Sequence, residues 1–384
     1  MYRQPVGLKS TLLQCRGFRV TCLQGGGLRS VEYTPDWFEK LRQATDGSPH
    51  QHGLKHRPFV DYYFTTGSAK LLLAVDQQDA ITGLLGGEMM PLELNGRTMT
   101  FFYGRDFLAL RPGSAVYLFK KWLAYSEGRG FAIGGTEDFQ KVVRALGWES
   151  FGVVRPLYLN QPYSRWDGEN RLRLAAKSVI DWFKRRPVGR FQSRIPAEAV
   201  GNLSLREESV FTQDMLPTQS PFTLRFAPTV EHLNWRYNTR LSFVRYRVFR
   251  LLFGGDSVGY VIINERPDRL LVAHCDGQEP GMLAYGALLS LLEAGRHDRR
   301  PRTLMLATTH SVMKPIFEQF GFREGGINRK LNFGGVRKDI EVPSDIGQWL
   351  VNWDWGGRAL RSPFLDEAPE THNESHPHRS SPND

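Results

Sequence analysis

Few of the features that usually announce a function are present in this sequence. Only three cysteines occur in 384 residues, Cys15, Cys22 and Cys275. That is too few for a disulfide framework, and their spacing matches no zinc motif. They are read as reduced, partly buried thiols, and no metal site is expected. No run approaches the roughly 18 uninterrupted apolar residues that a membrane helix needs. The opening Met1-Tyr2-Arg3-Gln4-Pro5 has neither the apolar core nor the small-residue cleavage site of a secretion signal. The expectation is a protein of the cytoplasm with no membrane span. Gly25-Gly26-Gly27 lacks the strand, helix and following lysine of a phosphate loop, so it reads as a turn.

What is present is ordinary globular composition, 41% hydrophobic and 23% charged, in a chain long enough for two domains. The formal net charge is +10, which raises the possibility of a polyanionic partner. The surplus is spread along the chain, however, with short basic runs only at Lys184-Arg185-Arg186 and between Arg296 and Arg302. No aromatic-interleaved stripe accompanies them, and an anionic small substrate or cofactor explains the charge as well as nucleic acid does. From about Ser362 to Asp384 the chain is polar and poor in apolar residues, and it reads as a disordered tail. His372, His376 and His378 within it read as solvated.

Between the ends, one order of elements occurs twice. Lys70 to Val75, Ala80 to Leu94 and Thr100 to Leu110 read as strands, the last two joined by an Asn95-Gly96 hairpin. Gly113 to Tyr125 reads as a helix, Phe131 to Gly135 as a strand and Glu137 to Leu146 as a helix stopped by Gly147. Trp148 to Leu159 returns to strand. Phe243 to Phe253, Val258 to Asn264 and Arg269 to His274 repeat the three strands. Gly281 to Glu293, Thr303 to Ala307, Val312 to Phe320 and the segment from Phe322 to near Phe333 repeat the rest. A helix led by Pro35 precedes the first set, and an amphipathic helix over 171–186 links the two. The implied division is a first domain over 1–165, a linker and lead-in segment over 166–240, a second domain over 241–340, an extension over 341–361 and the tail.

Three antiparallel strands feeding helix, strand, helix, strand resemble the GNAT superfamily of acyl-CoA-dependent N-acyltransferases. Asp106-Phe107-Leu108-Ala109-Leu110-Arg111-Pro112 resembles the strand that leads into the cofactor-binding helix of that superfamily. Leu233-Asn234-Trp235-Arg236-Tyr237 resembles the opening of the second unit in bacterial tandem GNAT proteins. Leu146-Gly147-Trp148 and Phe320-Gly321-Phe322 resemble the family's final helix ends. The fold class implied is α/β (α+β), with two tandem GNAT-like units of mixed, mostly antiparallel sheets flanked by helices.

The resemblance implies acetyl-CoA or another acyl-CoA as co-substrate and an amine on a small molecule or sugar as acceptor. It places Leu110, Gly113, Ser114 and Ala115 at the cofactor in the first half, and Gln278, Gly281 and Met282 in the second. Asp106, His274, Asp276 and His310 are the polar residues at the strand ends or helix starts where amine binding and proton transfer belong, and they are the catalytic candidates. The sequence also departs from the family. The glycine loop after Pro112 is shortened, Leu283 and Pro280 interrupt the second loop, and Val143 and Phe317 stand where a tyrosine acid is frequent. At most one unit is therefore expected to be an enzyme. The rival readings are an aminoacyl-tRNA-dependent transferase, which would bind tRNA, and a catalytically silent tandem-GNAT scaffold.

Overall fold

The computed structural model describes residues 28–46, 53–162, 179–180, 184–334 and 341–352. Cys15, Cys22, Gly25 to Gly27, the tail and most of the expected linker helix lie outside the described residues.

In the first half, β1 (Arg29–Glu32) precedes α1 (Phe38–Thr45) and α2 (Arg57–Thr65). A meander follows: β2 (Ala69–Val75), β3 (Ile81–Leu94) and β4 (Arg97–Ala109). Asn95 and Gly96, at φ 48° and 78°, form the tight turn between β3 and β4, where both residues need the left-handed region. Then come α3 (Ser114–Tyr125), β5 (Gly130–Ile133), α4 (Glu137–Ala145), β6 (Glu149–Val154) and β7 (Pro156–Leu159). Between the halves lie β8 (Leu203–Glu208), β9 (Leu224–Phe226) and α5 (Val230–Arg236). The order then repeats with β10 (Tyr246–Phe253), β11 (Asp256–Glu265), β12 (Arg269–Gly277), α6 (Pro280–Ala294), β13 (Thr303–Ala307), α7 (Met313–Phe320), β14 (Arg323–Glu324) and β15 (Arg329–Gly334). No helix among the described residues is long and apolar enough to cross a membrane.

The strands form two sheets, and each borrows from the other half. The first runs β1-β2-β3-β4-β5-β15-β6, with β9 also paired to β3. The second runs β14-β7-β13-β12-β11-β10-β8. The segment read as one strand from Trp148 to Leu159 is thus two, split at Arg155: β6 stays in the first sheet and β7 crosses to the second. In return β15, from the second half, enters between β5 and β6.

Alternation along the strands gives each sheet two apolar faces, so three cores form. Phe101, Tyr103, Phe131 and Phe333 from the first sheet share one core with Val248, Tyr260, Ile262 and Met305 from the second. Outside this shared core, Phe102 stacks on Trp122 of α3 with ring centroids 4.3 Å apart. On the opposite side, Leu283, Leu288 and Leu291 of α6 pack on Phe249, Val261 and Leu304. The layers are therefore helix, sheet, sheet, helix.

Ions also cross the shared core. Glu88 of β3 pairs with Arg236 of α5, both side chains fully buried, and Tyr63 donates to the same carboxylate at 2.5 Å. His232 Nε2 lies 2.9 Å from the other Glu88 oxygen. A carboxylate this deep is tolerated because each oxygen faces a cation or donor. The Trp235-Arg236-Tyr237 segment thus acts first as a brace between the halves.

Candidate functional site

Strands β4 and β5 run parallel and pair only at Phe102 with Gly130 and Tyr103 with Phe131. Beyond those pairs the two strands separate. At the same place β4 carries a bulge: Arg105 faces Gly86 and Phe107 faces Leu85 across β3, which leaves Asp106 as the additional residue. Its φ of 49° is the left-handed conformation. Such a bulge re-aims a side chain, here the Asp106 carboxylate.

Arg105 Nε donates to Asp106 Oδ2 at 2.6 Å. The guanidinium lies 4.3 Å from the centroid of the Tyr63 ring, with Phe59 and Phe64 on its flanks. Burial would depress the Arg105 pKa, but the Asp106 charge and hydrogen bond and the Tyr63 hydroxyl outweigh it, so the group is held protonated. Its side chain is 7% exposed against 18% for Asp106, so the carboxylate is the member of the pair that reaches solvent. Arg105 Nη1 is buried without a hydrogen-bond partner among the described residues.

Past the splay, β4 leads to α3. Leu110 is 45% exposed, and its N–H is held by Thr82 O at 2.9 Å. Gly113 is the N-cap at φ 84°, with nothing within 4 Å of where a Cβ would stand. No side chain caps α3, so the first-turn amides of Ala115 and Val116 are not consumed by one. Ser114 is fully buried, its hydroxyl 2.8 Å from Arg111 O and 3.0 Å from Thr82 O, so only its position, and not its oxygen, serves the helix end. The Arg111 side chain, 59% exposed and paired with Asp76, adds positive charge beside this terminus.

The second half has the same splay but different contents. Strands β12 and β13 pair from Arg269 with Thr303 to Leu271 with Met305 and then separate. Glu279 caps α6: its carboxylate accepts from Gly281 N at 2.9 Å and from Met282 N at 2.5 Å. Gln278 N is bonded to Val258 O.

His274 and Asp276 lie on β12, both almost wholly buried. The His274 ring stacks on Tyr237 and meets the Tyr260 hydroxyl at 3.1 Å through Nε2. Burial, with the Arg236, His232 and Arg225 charges nearby, pushes its pKa well below the usual value, so the ring is neutral. Asp276 forms an ion pair with Arg225, whose other nitrogen bonds Glu93 of β3 at 2.8 Å, which joins the two sheets. Burial pushes the Asp276 carboxyl up to about 6 against the opposing pull of Arg225. His310, 3% exposed, accepts from Val312 N at 3.2 Å through Nδ1 and meets the Phe222 ring edge-on.

The structure thus brings together Asp106, Leu110, Gly113, Ser114 and Ala115 along one strand–helix junction. It gives His274, Asp276 and His310 packing and capping partners instead of a common site. The Glu88–Arg236 ion pair and the Glu279 cap were not singled out from sequence, whereas Arg105 is readable there as the neighbour and pairing partner of Asp106. A hollow of about 340 Å³ lined by Val200, Leu203, Leu205, Phe249 and Leu289 lies beside edge strand β8 and contains none of these residues.

No protein-family model matches the sequence, and no curated protein matches it either. Solved structures do. N-myristoyltransferase of Saccharomyces cerevisiae with bound myristoyl-CoA superposes with a TM-score of 0.52 at 8% identity, covering 91% of this chain and 92% of that one. A probable N-acyltransferase from Enterococcus faecalis superposes with a TM-score of 0.50 at 7% identity, covering 80% and 72%. A tandem GNAT protein of the clavulanic acid biosynthesis pathway superposes more loosely, with a TM-score of 0.46 at 13% identity, covering 82% of this chain and 100% of that one. The class the architecture defines is the N-acyltransferase fold. Within that fold the chain has two successive units joined by exchanged strands.

Proposed function

We propose that the chain transfers an acyl group from an acyl-CoA to an amine, using the first unit alone. The observation that carries this reading is the contrast between the two helix N-termini. A pyrophosphate needs free backbone amides and the positive end of a helix dipole. At α3 no side chain caps the amides, and Arg111 stands beside them. At α6 the Glu279 carboxylate takes both Gly281 and Met282 and adds a negative charge.

In the first unit, pantetheine would lie along the free side of β4 from Gly104 to Ala109, adding as a short strand where β5 has turned away. Its phosphates would meet the α3 amides. The Asp106 carboxylate, held by Arg105, would receive the acceptor's ammonium group and take one proton from it, freeing the nitrogen lone pair to form the C–N bond at the thioester carbonyl. The tetrahedral intermediate then breaks the C–S bond, and the CoA thiolate leaves as the second proton of the nitrogen passes to it through water. A β4 amide at the splay would hold the oxyanion.

The test is calorimetry of the protein with acetyl-CoA, longer acyl-CoAs and coenzyme A. One equivalent per chain is expected, and no binding by any of them would overturn the proposal. Turnover with small amines then separates catalysis from the silent-binding reading, which the Val143 and Phe317 substitutions of the usual tyrosine favour. Salt-sensitive tRNA affinity would favour the aminoacyl-tRNA alternative.

A further inference from the structure

At the splay of the second unit, a later segment of the chain bonds to β12 and to the connection after β13. Residues 341–352 return along the shared core to β12. Asp345 caps a short turn through Gly347 N, and Thr309 and Ser311 of the β13–α7 connection bond to Ile346 O and Gly347 O. Thr223 N then bonds to Gln348 O, and Leu350 N to Leu224 O, so the segment adds in parallel beside β9. Trp349 is fully buried against Phe333 and Phe151 of the first sheet, while Leu350 enters the core under α6.

Asn352, the last described residue of this segment, is 2% exposed. Its side-chain amide pairs with a single residue of β12 in both directions: Cys275 N donates to Asn352 Oδ1 at 3.0 Å, and Asn352 Nδ2 donates to Cys275 O at 3.1 Å. Cys275 lies opposite Val261 of β11. In an antiparallel ladder a residue either exchanges both bonds with its opposite number or turns both groups away. Cys275 turns both away, toward the side where β13 would have continued. A buried strand edge needs such partners, because unpaired N–H and C=O groups out of water are costly. A primary amide satisfies one donor and one acceptor at once, which is what the amides of an extended ligand would do in that gap.

We infer that residues 345–352 are a built-in pseudo-ligand of the second unit, with the Asn352 amide holding the β12 edge in place of an added strand. The Glu279 cap on α6 closes the adjoining phosphate position by independent means. The second unit is therefore a closed support that takes no acyl-CoA and locks the two sheets together through Trp349 and Leu350. The inference goes beyond the proposed function and stands whether or not the first unit turns over substrate.

Hydrogen exchange read by NMR tests it on the full chain. In the wild type the Cys275 amide is expected to be protected, and Asn352→Ala is expected to speed its exchange about ten-fold, in keeping with the loss of one buried hydrogen bond. Equal rates in the two proteins would overturn the inference. Asn352→Ser, a smaller polar change, covers the case in which the alanine variant folds poorly, with the same expected direction. Saturating acetyl-CoA is expected to leave Cys275 exchange and the Asn352 side-chain signals unchanged. Displacement of those signals would show a ligand entering the gap and would overturn it. If acetyl-CoA binds nowhere, the proposed function fails, yet the Asn352→Ala comparison still decides this inference.

Discussion

Replacing Gly113 with aspartate would give the first unit the carboxylate cap that Glu279 gives the second. Gly113 is the N-cap of α3, and an added Cβ there meets nothing within 4 Å. Its φ of 84° is a strained setting for any side chain, although aspartate enters the left-handed region more readily than most, at a cost of about 1 kcal/mol. Against this, a carboxylate at the N-cap contributes about 1 kcal/mol through the hydrogen bond and a few tenths more through the helix dipole. The folded protein should therefore change little in stability. Binding should change a great deal. A carboxylate about 5 Å from a phosphate charge repels it by about 3 kcal/mol at an effective dielectric of 20, which is roughly a hundred-fold in affinity. Isothermal titration with acetyl-CoA and a thermal melt on the same sample read both quantities. The expected result is a melting temperature within a few degrees and affinity at least ten-fold weaker. Unchanged affinity in a folded variant would refute the assignment of the phosphate position to α3.

Three further outcomes follow from the same geometry. Asp106→Asn keeps the shape of the bulge residue but removes the base, so kcat should fall about 100-fold or more while acyl-CoA affinity holds, as steady-state kinetics beside calorimetry would show. Arg236→Met leaves the fully buried Glu88 carboxylate without its cation and should cost about 3–5 kcal/mol in urea denaturation. Asp276 should titrate in the folded protein near the raised value of about 6, visible in its carboxyl carbon shift. Because its folded pKa lies above the unfolded one, its protonated form favours the native state. Its contribution to stability is therefore fully present below about pH 4, is lost as pH rises through about 6, and is flat above. Asp276→Asn should flatten that part of the stability profile.

The local signals in the sequence served the repeat well. Asn95-Gly96, Gly147 and Gly321 mark turns and helix ends because only particular residues accept positive φ, and all four adopt it. The exchange of β7 and β15 could not be read, because nothing in a strand's own alternation says which sheet it will join. Arg155, at the crossing point, looks like any exposed strand residue. The Asp106 bulge was equally hidden: it is a matter of register against β3, whereas the flanking Arg105 was visible. His274 and Asp276 show how burial changes such a signal. Polar residues on an apolar strand suggested a cleft, but the sheets face each other there, and Tyr260, Tyr237 and Arg225 supply the partners. The cap by Glu279 was not expected because glutamate is not among the favoured N-cap residues. Asn352 lies 77 positions from its partner, so no local pattern points to it.

The proposed function requires that one acyl-CoA bind per chain and that it bind along β4. Hydrogen–deuterium exchange with and without saturating acetyl-CoA tests this most directly. Protection is predicted over Gly104 to Val116 and none over Val272 to Met282. Protection confined to the second stretch, or equal in both, would contradict the account.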